Sequence, residues 1–342
     1  MTPKERFRAA LNLETPDRIP TMYVQLGGGN CLQERTGITI KEGYANEQKF
    51  ANLCLAAKDF GFDNVMAGWG DLLMEAQAFG VALAFPNERD YPRDTAIAEE
   101  QIESLATIDP MKNEIWSTSL KAAKMMNEKV GDEVAVIGHC SDPFVTAAAI
   151  RGFDRILMDE LMEANRTHHL LKAVTESLQE YGRLLREYAG LEFVFIQDGI
   201  ADAEQNMFEL SKTFDIDYAK KMVDSFHSDG LTTILSNPSL KPYFEAQFDT
   251  VRPKAMHLNI DWKDYTKAVS KLQGNACLAA GIDPHFIGQS TPEGIEEKVK
   301  QVIQMSGGGN GLIITSAGEI PLNASSENIE ALAKSTRGIS IE

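Results

Sequence analysis

Short apolar runs alternate with longer amphipathic stretches along the 342 residues. The runs fall at residues 22–26, 64–68, 134–139, 193–198, 231–236, 255–258, 276–281 and 312–316. Most are rich in Val, Ile, Leu or Phe, and Gly, Asp, Asn or Pro bounds them. Near-continuous apolar runs of this kind predict parallel strands buried on both faces. Between them the apolar residues recur at helical spacing. Residues 47–60 place Phe50, Leu53, Cys54 and Ala57 on one side. Residues 154–188 predict one long helix, and 217–228 and 292–305 two shorter ones. Pro292 suits a first turn and Thr291 a cap. A further helix, 3–11, precedes the first strand, and Thr2-Pro3-Lys4-Glu5 has the form of a capping box.

Eight strand–helix units predict an α/β fold, a distorted (β/α)8 TIM barrel. The chain reads as a single barrel domain, 1–342. Residues 71–132 are too long for one connection and read as an insertion after strand 2. A doubly wound sheet is the rival, but no GxGxxG motif follows an early strand.

Barrel chemistry sits at the C-terminal ends of the strands. Those ends nominate Gln25, Trp69, Asp71, His139, Gln197, Asp198, Asp202, Ser236, Asn237, His257, Asn259, Asp261, Asp283, His285, Ser316 and Glu319. Asp198, His139, His257 and Glu319 are the candidates for acid, base or electrostatic work. Gln25, Trp69, Gln197, Asn237, Asn259, Asp261 and Asp283 are candidates for substrate contacts. Period-two spacing puts His257, Asn259 and Asp261 on one side. His139 and Cys140 are neighbours on a strand and should point opposite ways. Tyr23, Trp69, Phe144 and Trp262 could wall an aromatic ligand or simply pack.

Composition narrows the classes. Lys plus Arg is 33 and Asp plus Glu is 50, a net charge of −17. Such a surface repels phosphate backbones, so nucleic acid is not an expected partner. No run approaches the roughly 18 apolar residues of a membrane span. Cys31, Cys54, Cys140 and Cys277 are far apart, which argues against a disulfide framework and for the cytoplasm.

Three segments carry a family resemblance. The opening, with TPKERF and TPDRIP, resembles the start of the uroporphyrinogen decarboxylase superfamily. The run 193–198, ending in an acid, is similar to a family strand. The C-terminal run, GIDPHFIGQSTPEGIEEKVK followed by GLIITSAGEIPLNASSENIEAL, is similar to the family's last third. The resemblance implies a distorted (β/α)8 barrel and one of two chemistries. One branch decarboxylates uroporphyrinogen, holding its eight carboxylates with an Arg-containing loop after the first strand. Here that place reads Gln25-Leu26-Gly27-Gly28-Gly29-Asn30, without Arg or Lys.

The other branch comprises corrinoid-dependent methyltransferases. Its thiol-methylating members bind zinc through a His-x-Cys at one strand end and a Cys at the last. The matching places read Leu235-Ser236-Asn237 and Thr315-Ser316-Ala317-Gly318-Glu319, without His or Cys. The resemblance therefore points to a methyltransferase that moves a methyl group from a small methylated substrate, most plausibly an aryl methyl ether, to cob(I)alamin on a separate corrinoid protein. It is similar to methyltransferase I of O-demethylase systems. Zinc remains open without assigned ligands. Decarboxylation, thiol methylation and a non-catalytic binding role are the alternatives.

Overall fold

The computed structural model describes residues 1–69, 73–91, 93–95 and 99–339. Eight parallel strands form one sheet: β1 (Thr21–Met22), β2 (Asn64–Ala67), β3 (Ala135–Ser141), β4 (Phe193–Gln197), β5 (Thr232–Asn237), β6 (Ala255–Asn259), β7 (Cys277–Ile282) and β8 (Leu312–Ser316). Their order around the sheet is β1-β8-β7-β6-β5-β4-β3-β2, with helices between them. This is the (β/α)8 barrel that the strand spacing predicts, with each strand within a few residues of its apolar run.

No backbone ladder is recorded between β1 and β2 among the described residues. Side chains and one backbone bond join the two edges instead. Asn64 accepts from the Tyr23 N–H at 2.7 Å and donates to the Tyr23 carbonyl at 3.0 Å. Asp63 accepts from the Thr21 N–H at 2.8 Å, and its own N–H donates to the Thr21 carbonyl at 3.0 Å. Arg6 and Arg18 hold the Asp63 carboxylate at 2.7 and 2.8 Å. The polar groups of the buried edges are thereby paired, as burial requires. β1 is shorter than its apolar run because the chain leaves the ladder after Met22, and Gln25 takes a left-handed φ of 51°.

The lumen fills with Met22, Val24, Met66, Ile137, Phe193, Phe195, Ile234, Cys277 and Ile313. The helix Pro3–Leu11 carries the expected capping box and inserts Phe7 edge-on against Phe193, with ring centroids 5.6 Å apart. That plugs the N-terminal end, leaving the opposite end for chemistry. A larger apolar layer lies between strands and helices, and Cys140 belongs to it.

Three expectations are corrected. Residues 154–188 form two helices, Phe153–Met162 and Ala164–Glu187, broken at Glu163 where φ is −138°. Asp159 on the first binds Arg151 at 2.6 Å and Arg166 on the second at 3.5 Å, a tie across the break that helical periodicity does not register. The insertion is shorter than 71–132. Its last part, Glu114–Val130, packs on β2, β3 and the helix Glu47–Leu55 as the barrel's own crossover helix. Asp71 itself lies outside the described residues. Finally, β6 ends at Asn259, so Asp261 does not continue the row of His257 and Asn259. It stands exposed in a turn, its N–H held by Asn259 Oδ1 at 2.9 Å and its carboxylate 3.5 Å from Lys298.

Candidate active site at the barrel mouth

His139 and His257 enter the lumen above Phe195. Their rings flank the Phe195 ring, with centroids at 6.2 and 5.5 Å. Both histidines are buried. Burial without a neighbouring charge pushes both down to about 4, so both are neutral imidazoles at pH 7.

The two rings differ in what surrounds them. His257 uses both nitrogens. Nδ1 lies 2.8 Å from Ser236 Oγ, and Nε2 lies 2.8 Å from the Ser316 carbonyl. A carbonyl only accepts, so the His257 proton is on Nε2 and Ser236 donates to Nδ1. Gly281 makes room for this bridge: a Cβ there would stand 2.9 Å from His257 Nε2 and 2.7 Å from Ala317 Cα. His139 uses one nitrogen. Its Nε2 is 3.0 Å from Gln25 Nε2, and an amide nitrogen only donates. The His139 proton is therefore on Nδ1, and that buried N–H has no hydrogen-bond partner. Leaving such a donor unpaired costs about 1–3 kcal/mol. Gln25 reaches His139 from its left-handed backbone, itself a strain of order 1–3 kcal/mol. Gly68 gives His139 space, since a Cβ there would stand 2.9 Å from the His139 Cβ.

Glu319 lies half-buried by the first strand's loop. It accepts from the Leu26 N–H at 3.2 Å and the Tyr91 hydroxyl at 2.6 Å. Gln197, half-buried at the end of β4, donates to the Asp198 carbonyl at 2.9 Å. Ser236, Ser316, Gln25 and His139 complete a mouth in which no member is Lys or Arg. On the rim, Lys241 and Lys298 are paired to Glu204 and Asp261 at 2.6 and 3.5 Å.

The remaining sequence candidates hold loops or core. Asp198 is buried and accepts from the N–H groups of Gly199, Ile200 and Ala201 and from Gln247 Nε2; burial pushes its carboxyl up while these donors pull it down. Asn237 ties Ala201, Gln247 and Ser239 together. Asp283 caps the helix Pro284–Gln289, and His285 is exposed. Trp69 stacks on Phe50 with centroids 3.7 Å apart, in the layer between strands and helices rather than the lumen. Sequence reasoning missed Tyr91, which lies in the insertion after strand 2, and Gln247, which lies mid-helix; neither position carries a strand-end signal.

A metal fits poorly. Among the described residues, no group of three or more His, Cys, Asp or Glu could hold one. The segments Leu235-Ser236-Asn237 and Thr315-Ser316-Ala317-Gly318-Glu319, where the resemblance implies zinc ligands, supply no His or Cys, and His257 bridges Ser236 and the Ser316 carbonyl there.

Comparison with known proteins places these features in context. The family model described as uroporphyrinogen decarboxylase (URO-D) matches residues 2–339. A methylcobamide:CoM methyltransferase MtbA from Methanosarcina mazei is 26% identical over 334 residues, covering 95% of this chain and 94% of its own length. A uroporphyrinogen decarboxylase from Shewanella loihica is 25% identical over 292 residues, covering 80% and 78%. A solved methyltransferase structure from Methanosarcina mazei superposes with a TM-score of 0.87 at 20% identity, covering 98% of both chains, and shares the fold.

Proposed function

This chain belongs to the uroporphyrinogen decarboxylase (URO-D) family, and from that premise we propose that it is a corrinoid-dependent methyltransferase of the donor side. It takes a methyl group from a small uncharged methylated compound, an aryl methyl ether foremost, and passes it to the reduced corrinoid of a separate protein. One observation carries the reading: a mouth without Lys or Arg in which the His139 Nδ1–H is buried and unpaired. An octa-carboxylate substrate would need guanidinium groups there. Likeness to the methylcobamide:CoM methyltransferases along 95% of the chain supports the corrinoid.

The overall change is R–O–CH3 plus Co(I) plus a proton giving R–OH plus CH3–Co(III). The corrinoid supplies the nucleophile that accepts the methyl. The chain's task is the leaving oxygen. As the C–O bond breaks, charge develops on that oxygen, and the unpaired His139 Nδ1–H is the donor assigned to stabilise it. Gln25 fixes the tautomer that makes Nδ1 the donor. Phe195 offers an aromatic wall. His257, with both nitrogens engaged, acts as a positioning residue that holds β5 and β8 together, and Asp198 positions the loop after β4.

The test is anaerobic incubation of the purified protein with cob(I)alamin and a panel of methoxylated aromatics. Methylcobalamin should form with at least one donor and should require His139. A thiol acceptor is the second reading, favoured by the Methanosarcina relative's name. Demethylation of methylcobalamin by added thiols, without methylation of cob(I)alamin by any ether, would select it.

A further inference from the structure

Behind the mouth, outside the lumen, four buried side chains carry oxygens that lack partners. Asp142 ends the β3 connection and caps the helix Pro143–Arg151, and Thr146 lies one turn further along. Ser211 and Asp215 lie one turn apart in the wide π-helical segment Ser211–Ile216. The two segments pack together. All four residues are at most 1% exposed. Asp142 Oδ2, Thr146 Oγ1, Ser211 Oγ and both Asp215 carboxylate oxygens have no hydrogen-bond partner. Residues four apart share a helix face, so each hydroxyl lies on the face that carries its carboxyl. The Asp142 and Asp215 carboxyls are within hydrogen-bond reach of each other.

Such a pair needs positive charge between its members. Asp198 and Glu160 face Asp215 and add negative charge. The guanidinium groups of Arg151 and Arg166 bind Asp159. Burial, and after it the charge of Asp198, push the Asp142 and Asp215 carboxyls far above the usual carboxylate range. A single shared proton would engage one oxygen of each carboxyl. It would leave the second Asp215 oxygen and both hydroxyls unpaired, each at a cost of order 1–3 kcal/mol. A cation seated between the two packed segments would neutralise the carboxylates and give the unpaired hydroxyl oxygens a partner. Two carboxylates balance a double charge, and an all-oxygen set suits a hard ion.

We propose that Asp142, Thr146, Ser211 and Asp215 form a structural site for a hard divalent cation, of the Ca²⁺ or Mg²⁺ class, that pins the segment after β3 to the segment after β4. The donor set contains two carboxylates and two hydroxyls, so it differs from clusters built on three or more His, Cys, Asp or Glu. The site borders Asp198 but lies outside the lumen, and it does not depend on the methyl-transfer reading.

The experiment uses the whole purified chain, stripped with EDTA and dialysed. Thermal unfolding and calorimetric titration are run with CaCl2, MgCl2 and MnCl2, against NaCl at equal ionic strength. One of the divalent ions should raise the melting temperature saturably and bind at one equivalent. Thr146→Val and Ser211→Ala, which remove single oxygens with little change of volume, should each weaken that binding roughly tenfold or more. Asp215→Asn should abolish it. If no divalent ion acts beyond the NaCl control, or if binding persists unchanged in Thr146→Val and Ser211→Ala, the assignment is overturned, and protons or water hold these groups.

Discussion

His139 and His257 show how little the residue type says about the role. Both are neutral, buried and in contact with Phe195, yet one has both nitrogens bonded and the other keeps a donor free. Removing the free donor should therefore affect turnover far more than binding. His139→Ala should lower kcat/KM for methyl transfer by about 10²-fold or more, as loss of a preorganised donor to a developing oxyanion does elsewhere. Steady-state kinetics of cobalamin methylation check this; activity within a few-fold of wild type would remove His139 from the mechanism. Gln25, His139, His257 and Glu319 were legible as strand-end polar residues. Their pairing was not. Gln25 and His139 are 114 residues apart, and only closure of the barrel brings them to 3.0 Å. Asp261 was misplaced because alternation holds only while a strand lasts, and β6 ends at Asn259.

At the scale of elements, the seam between β1 and β2 is a point of weakness. Asn64 replaces two ladder bonds with one side chain in a fully buried position. Asn64→Ala leaves the Tyr23 N–H and carbonyl unpaired, and should destabilise the fold by about 2–4 kcal/mol. Urea unfolding measures it; a loss under about 1 kcal/mol would mean that the seam closes by other means. Gly281→Ala should cost about 1–3 kcal/mol by overpacking against Ala317 and His257. The strands were readable because a doubly buried parallel strand must be continuously apolar. The helix break at Glu163 was not, because no Pro or Gly marks it and the tie that fixes it, Asp159 to Arg151 and Arg166, is tertiary.

For the whole molecule, the buried histidines set an acid limit. Unfolded histidine titrates near 6.5, whereas His139 and His257 titrate at about 4 in the fold. Between those values the unfolded chain binds protons that the folded chain does not. Stability is thus fully present above about 6.5 and falls as the pH drops towards 4, by up to about 1.4 kcal/mol per pH unit for each histidine. Glu160, raised to about 7 by burial, works in the opposite sense, losing its contribution as the pH rises through 7. The histidine effect is isolated by comparing wild type with His139→Asn. The wild type should lose more unfolding free energy between pH 6.5 and 4, and parallel profiles would contradict the assigned environment.

The account as a whole stands on a mouth without Lys or Arg that serves a methyl donor. Its most direct test follows cob(I)alamin anaerobically in the presence of the purified protein and aryl methyl ethers. The account predicts that the Co(I) spectrum gives way to that of methylcobalamin, with release of the phenol and with dependence on His139. No methylcobalamin from any donor, together with decarboxylation of uroporphyrinogen by the same preparation, would contradict it.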